Sequence, residues 1–316
     1  MSTSPFQYHI PQLFRRLANQ HNATAKHLIA LREKKKYRLD NRSVLIQGVK
    51  TIKELRNKGF EFNSIAITAK NKPNVESDIK YPAIDIVKHP DSFPAKSYYV
   101  TDIDVTRRIL GTSSRPSNHE VFAEVPIPAE TDEVLLKEKD RLLVFDGISD
   151  PGNLGTLIRT ASALGWESGL VASQSCDLYN DKTLRASRAL SLSWKHKQLD
   201  MAEAIQFLKS NGFTPVVADM MPANSHAEIW SPELGTKTMM DKAVKPGTGV
   251  WFWNFGQQPI VLPKKLALIL SSEHHGVNDL DDEIRVSIPM SSKVESLNVA
   301  NAGSIIMNEL NRYLAL

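Results

Sequence analysis

Three short polar segments of this chain carry residue types from which a catalytic site could be built, and each follows an apolar run. The first is Asp146-Gly147-Ile148-Ser149-Asp150-Pro151-Gly152-Asn153, which turns into a helical pattern holding Arg159. Asn153 alone is explained by a helix cap. Arg159 is not, because a guanidinium among Leu157, Ile158 and Ala161 calls for an anionic partner, such as a phosphate near the helix start. The second segment, Ser271-Ser272-Glu273-His274-His275-Gly276, follows Leu268-Ile269-Leu270 and carries a single carboxylate. Glu273 fits either a chemical role or a favourable charge at a helix N-terminus. The third runs Ile288-Pro289-Met290-Ser291-Ser292-Lys293-Val294-Glu295-Ser296-Leu297-Asn298. Ser296 is the expected N-cap of a last helix, with Asn298 inside its first turn, where an amide usually serves another group.

Several chemistries are excluded. No G-x-x-x-x-G-K-[ST] loop or G-x-G-x-x-G turn cradles a nucleotide, and no G-x-S-x-G elbow presents a serine nucleophile. Metal binding is not expected. Glu273-His274-His275 is the nearest approach to a ligand set, but adjacent side chains diverge and no third ligand is spaced to join them. The single cysteine, Cys176, leaves no disulfide framework and suits a reducing compartment. No apolar run reaches the ~20 residues needed to span a bilayer, so no membrane partner is expected.

The elements that must position these segments are legible in outline. With 41% hydrophobic and 23% charged residues, the chain is an ordinary globular protein, and its 316 residues allow two domains. Residues 1–23 read as an extension. Glu33 is the first acidic residue, and such a start hints at an organellar transit segment, which favours a mitochondrial address over a cytoplasmic one. A small α/β unit is expected over 24–125, then a Pro-rich acidic linker over 126–139. An α/β unit follows over 140–316, its apolar strands alternating with helices as in a parallel sheet covered on both faces. Ligands in such sheets sit at the carboxyl ends of the strands. A loop-rich insertion occupies 221–264. Within it, Trp251-Phe252-Trp253 fits a packed strand better than a base-stacking surface.

Charge separates the two units. Residues 1–60 hold thirteen basic and three acidic side chains, whereas the whole chain carries only +4, so the remainder is acidic. This basic end suits a polyanion, and a solvated helix face is the plainer alternative.

Together, in this order and spacing, the three polar segments resemble the three motifs of the SpoU/TrmH family of RNA ribose methyltransferases, in the SPOUT superfamily. Lys182-Thr183-Leu184-Arg185-Ala186-Ser187 resembles the family's stretch between motifs one and two. Residues 25–125 are similar to its ribosomal-protein-like substrate-binding domain, with Lys36-Tyr37-Arg38 and Ile46-Gln47-Gly48 as the recognisable part. The resemblance implies a SPOUT domain over 140–316, a parallel sheet closed by a trefoil knot. It also implies S-adenosyl-L-methionine as cofactor, a homodimer, and methylation of a ribose 2′-hydroxyl, in ribosomal RNA before transfer RNA. A ribosomal subunit or its assembly intermediate would then be a partner.

The family's polar positions match Asn153, Arg159, Glu273, Ser296 and Asn298. Its cofactor-contacting positions match Ser271, Ile288 and Leu297, with Gly276 and Pro289 beside them. Arg32, Lys34, Lys35, Lys36 and Arg38 are the cations expected to hold RNA. A guanidinium is a donor and not a proton acceptor, so Arg159 is expected to clamp the target phosphate rather than act as a base. Glu273 would orient Arg159 or a main-chain group of the knot. The sequence departs from the family pattern at Ser271, His274, Ala189 and Ala300-Asn301, with Ser271, His274 and Ala189 in places where glycine is common. A side chain at 271 could crowd the cofactor. A protein that holds RNA or assists ribosome assembly on this fold without transferring a methyl group is therefore the second reading.

Overall fold

The computed structural model describes residues 11–69, 79, 81–112, 120–221, 228–239, 245–255, 262–271 and 280–314. The chain divides into two compact units. One comprises Met1–Pro128 with Tyr179–Leu192, the other Ala129–Leu178 with Ser193–Leu316.

In chain order, the first unit contains β1 (Phe14–Leu17), α1 (Ala23–Glu33), α2 (Lys35–Asn41), β2 (Ser43–Gln47), α3 (Val49–Asn57), β3 (Phe62–Ala69), α4 (Ala83–Lys88), β4 (Ala95–Asp102), α5 (Ile103–Leu110) and β5 (Val121–Pro126). Among the described residues the strands form one mixed sheet in the order β1-β4-β3-β5-β2. In α1, Ala25, Leu28 and Leu31 recur at helical spacing and pack with Leu45, Ala66, Ile109 and Phe122. The Asn22 side chain starts that helix by accepting from Thr24 N at 2.8 Å.

The expected extension over 1–23 is partly sheet. Phe14–Leu17 pairs in parallel with Tyr98–Thr101, burying Phe14 and Leu17 and leaving Arg15 and Arg16 exposed. A two-residue polar interval in a four-residue edge strand leaves no alternation to read.

The second unit begins with α6 (Glu133–Lys137), inside the expected linker. Asp132 caps this helix, and Leu136 is buried in the core of the second unit. Then come β6 (Arg141–Asp146), α7 (Pro151–Ala163) and β7 (Ser168–Ala172). The next helix, α8 (Asp181–Ser187), was expected in the second unit but packs with the first, against β2. The chain returns through β8 (Lys195–Leu199), α9 (Met201–Ser210), β9 (Thr214–Ala218), β10 (Glu228–Ser231), β11 (Thr236–Met239), β12 (Trp251–Trp253), β13 (Leu266–Ser271), β14 (Ile284–Ser287) and α10 (Val299–Leu314).

The strand order is β11-β10-β12-β14-β9-β13-β6-β7-β8. From β14 to β8 every pairing is parallel, as the apolar runs required. The expected insertion is not all loop. Its β10, β11 and β12 extend the sheet antiparallel, with Trp251, Phe252 and Trp253 all buried.

Helix α10 lies against α7 and β13 at Gly303. A methyl group there would come within 2.7 Å of both Leu157 Cδ2 and Leu270 Cδ1, so the two leucine ends would have to shift to admit one. The segment 272–279, on which the expected knot depends, lies outside the described residues.

Candidate active site

Strands β6 and β13 end side by side, with Ser271 opposite Asp146. The Ser271 hydroxyl donates to Asp146 Oδ2 at 3.0 Å. The chain leaves β6 through Gly147 at φ 63, a left-handed conformation that costs glycine little. Ser175 pins the turn by donating to the Phe145 carbonyl at 3.0 Å and accepting from Ile148 N at 3.2 Å.

Asp150, not Asn153, caps α7. Its Oδ1 accepts from Asn153 N at 2.7 Å, and Pro151 occupies the first turn, where a missing N–H costs nothing. The Asn153 side chain is thereby left for other work. Its Oδ1 accepts from Asn298 Nδ2 at 3.0 Å, while Asn298 Oδ1 accepts from Ala300 N at 2.9 Å. Asn298 is therefore the cap of α10, in place of Ser296. Ser296 lies half-buried two residues earlier, where it has a partner of its own. One amide pair thus joins the starts of two helices that lie 145 residues apart in sequence.

Arg159 lies six positions beyond Asn153, about 9 Å along the helix. It is exposed, and among the described residues its guanidinium has no hydrogen bond or ion pair. The Asn153 Nδ2 protons are likewise unengaged there. Glu273 and Gly276 lie outside the described residues, so the expected Glu273–Arg159 contact does too.

Ser271, Ile288 and Leu297 are each half-buried and Pro289 is buried. Ser271 and Ile288 stand at the carboxyl ends of β13 and β14, and Leu297 just precedes α10. Apolar side chains and main chain at a sheet edge, beside a carboxylate, suit a cationic adenosyl ligand. Ser271 is directed to Asp146 by its hydrogen bond. Asp146 itself carried no assigned role in the sequence, and its place as the last residue of an apolar strand was the available signal. No His/Cys/Asp/Glu cluster fit for a metal occurs among the described residues, and none of their helices is long and apolar enough to cross a membrane.

The basic stretch of the first unit is less uniform than its sequence. Lys34, Lys35 and Lys36 are exposed. Arg38, expected to bind RNA, is 3% exposed, and its Nη1 donates to the Leu31 and Arg32 carbonyls at 2.9 Å each, capping the end of α1. That corrects its assignment, because a guanidinium spent on two buried carbonyls does not reach a phosphate. Arg32 is also occupied. Its Nη1 donates to the carbonyls of Arg108 at 3.0 Å and Ile109 at 2.8 Å, at the end of α5, and its Nη2 pairs with Glu33.

A fold of this kind is shared with solved structures of RNA methyltransferases. An AdoMet-bound rRNA methyltransferase from Sinorhizobium meliloti superposes with a TM-score of 0.69 at 18% identity, covering 96% of this chain and 99% of that one. The SpoU methyltransferase AviRb from Streptomyces viridochromogenes, in complex with AdoMet, gives 0.65 at 20% identity, covering 92% and 98%. The model of the SpoU rRNA Methylase family matches residues 140–308, and the chain belongs to that family. Among its relatives, a 23S rRNA (adenosine(1067)-2′-O)-methyltransferase of Streptomyces azureus is 32% identical over 200 residues, 61% of this chain and 62% of that protein. The 23S rRNA (guanosine(2553)-2′-O)-methyltransferase RlmP of Bacillus subtilis is 26% identical over 280 residues, 87% and 91% of the two chains.

Proposed function

We propose that this chain transfers a methyl group from S-adenosyl-L-methionine to a ribose 2′-hydroxyl of RNA, with ribosomal RNA as the substrate class. The Asn153–Asn298 amide pair carries the reading most directly, because it draws two of the three polar segments into one site beside an exposed Arg159. The family membership and the relatives' names, which specify 2′-O-methylation of 23S rRNA, support it.

When bound, the cofactor supplies a methyl group on a positively charged sulfur, already a strong electrophile. The protein's work is to orient the ribose and ease loss of its proton. Arg159 clamps the neighbouring phosphate and stabilises negative charge as it develops on O2′. Asn153 Nδ2 donates to the ribose, and Asn298 holds Asn153 in place. Ser296 and Glu273 complete the site. Ser271, Ile288, Leu297, Pro289 and Gly276 hold the adenosyl group, with Asp146 fixing the Ser271 hydroxyl.

Lys34, Lys35 and Lys36 grip RNA phosphates. Lys35 and Lys36 stand in the first turn of α2, which has no acidic residue, against the helix dipole. Such placement is understandable where an external anion meets them. A homodimer completes the site, and a ribosomal subunit or its precursor presents the RNA. A mitochondrial address suits the absence of acidic residues before Glu33.

Isothermal titration of the purified chain with S-adenosyl-L-methionine tests the reading. Saturable binding, followed by transfer of labelled methyl to ribosomal RNA, is expected. Absence of binding at millimolar cofactor favours the methyl-silent RNA-binding protein, and recovery of binding in Ser271→Gly would locate the cause at that side chain.

A further inference from the structure

The first unit holds an open basin of about 640 Å3 beside α1 that none of the three motifs uses. Lys26, Lys34 and Arg108 line it, with His27 and Tyr37. Among the described residues, the side chains of these three cations form no hydrogen bond or ion pair. Glu33, the one carboxylate in the lining, is paired with Arg32. The basin therefore presents uncompensated positive charge.

Its polar side chains are fixed from behind. His27 Nε2 lies 3.2 Å from Glu124 Oε1, and His27 Nδ1 lies 2.9 Å from the Tyr37 hydroxyl. Burial alone would raise the Glu124 carboxyl. The hydrogen bond and charge of His27, then Ser43 and Asn63, outweigh it and hold the group below its ordinary range. His27 thus links the Glu124 carboxylate to the Tyr37 hydroxyl and holds the phenol at the edge of the basin. A chain of carboxylate, imidazole and phenol that ends at a basic concavity does more than packing requires.

We propose that this basin is a subsite for one unpaired nucleotide of the RNA substrate. Lys26, Lys34 and Arg108 take its phosphates, and the hydroxyl of Tyr37, oriented by His27 and Glu124, meets a polar atom of the base while its ring and that of His27 offer faces for stacking. The volume suits a nucleotide with some water. A paired nucleotide does not fit the description, since in a duplex the base faces are stacked, the Watson–Crick edges are paired, and recognition runs through ribose and backbone contacts. The inference rests on the RNA reading above and adds where, and in what state, one nucleotide is held.

The test uses the full chain and two RNA probes of equal phosphate number, a hairpin with an adenosine-rich loop and a blunt duplex, in fluorescence anisotropy titrations. The wild type should bind the hairpin about tenfold more tightly. Tyr37→Phe, which keeps the ring, and Lys26→Gln with Arg108→Gln, both at exposed positions, should each remove most of that preference while the melting temperature holds. Unchanged hairpin preference in these variants overturns the basin alone. Equal losses on both probes also overturn it, leaving a general phosphate patch. A wild type that binds neither probe overturns the RNA reading together with the basin.

Discussion

Arg159 in the second unit and Arg38 in the first are both helical arginines close to a family motif, and the fold uses them in opposite ways. Arg38 is buried with its Nη1 on two carbonyls, whereas Arg159 is exposed and has no partner among the described residues. In sequence both read as free cations, Arg38 within a cationic cluster and Arg159 alone among apolar neighbours, and only Arg159 is one. A charge is available for function only when the surrounding backbone leaves it unused. At the carboxyl edge of the parallel sheet, Asp150 does the capping, and the spare capacity falls on Asn153 and Arg159. In the first unit two arginines do the capping, and the spare capacity falls on lysines.

This contrast can be broken by substitution. The largest expected effect is at Arg159. Replacement by Lys should lower methyl transfer by about a hundredfold or more, as for loss of one fixed donor to developing charge, with RNA affinity and melting temperature nearly unchanged. Near-full activity of that variant at neutral pH would exclude a bidentate clamp.

Arg38→Met should do the opposite, costing about 3 kcal/mol of stability through two lost charged hydrogen bonds and uncapped carbonyls, read in urea denaturation. RNA affinity of the folded fraction should hold.

Next is Gly303→Ala, where the added methyl meets Leu157 and Leu270. A loss of about 2 kcal/mol is expected from overpacking, together with weakened cofactor binding, because Leu297 leads directly into α10.

Ala189→Gly is smaller and has the opposite sign. Ala189 sits at φ 59, where a side chain costs about 1 kcal/mol, so glycine should raise the stability of the first unit by about that amount.

The last is a pH effect. Glu124 has its carboxyl lowered from an ordinary value near 4.5, so the folded unit binds that proton less readily than the unfolded chain. Its stabilisation is present above pH 4.5 and is lost as pH falls through the lower folded value. Glu124→Gln should flatten that part of the acid stability curve.

The parallel core of the second unit was legible because β6, β7, β9 and β13 are continuous apolar runs between helices with clear starts. Its polar edge strands were not. Lys195–Leu199 in β8 is mostly polar, and β10 and β11 are short strands inside a segment rich in turns, where only the aromatic run of β12 reads as a strand.

In the site, residue types were legible and their use was not. The sequence supplied Asn153 and Asn298, but exchanged the caps. Asp150 and Asn153 are both good N-caps, as are Ser296 and Asn298, so propensity cannot choose between them. The burial of Arg38 was hidden for a related reason, since its partners are carbonyls that become acceptors only once α1 has ended. The left-handed backbone at Ala189, by contrast, was foreshadowed by a missing glycine.

The central claim is that the carboxyl edge of the second sheet methylates an RNA ribose. Mapping 2′-O-methyl groups across the RNA of cells with the intact gene, without it, and with Arg159→Lys tests it most directly. The account expects one ribose of ribosomal RNA to be methylated with the intact gene and unmethylated in the other two. Identical maps in all three, with the protein expressed, would contradict it.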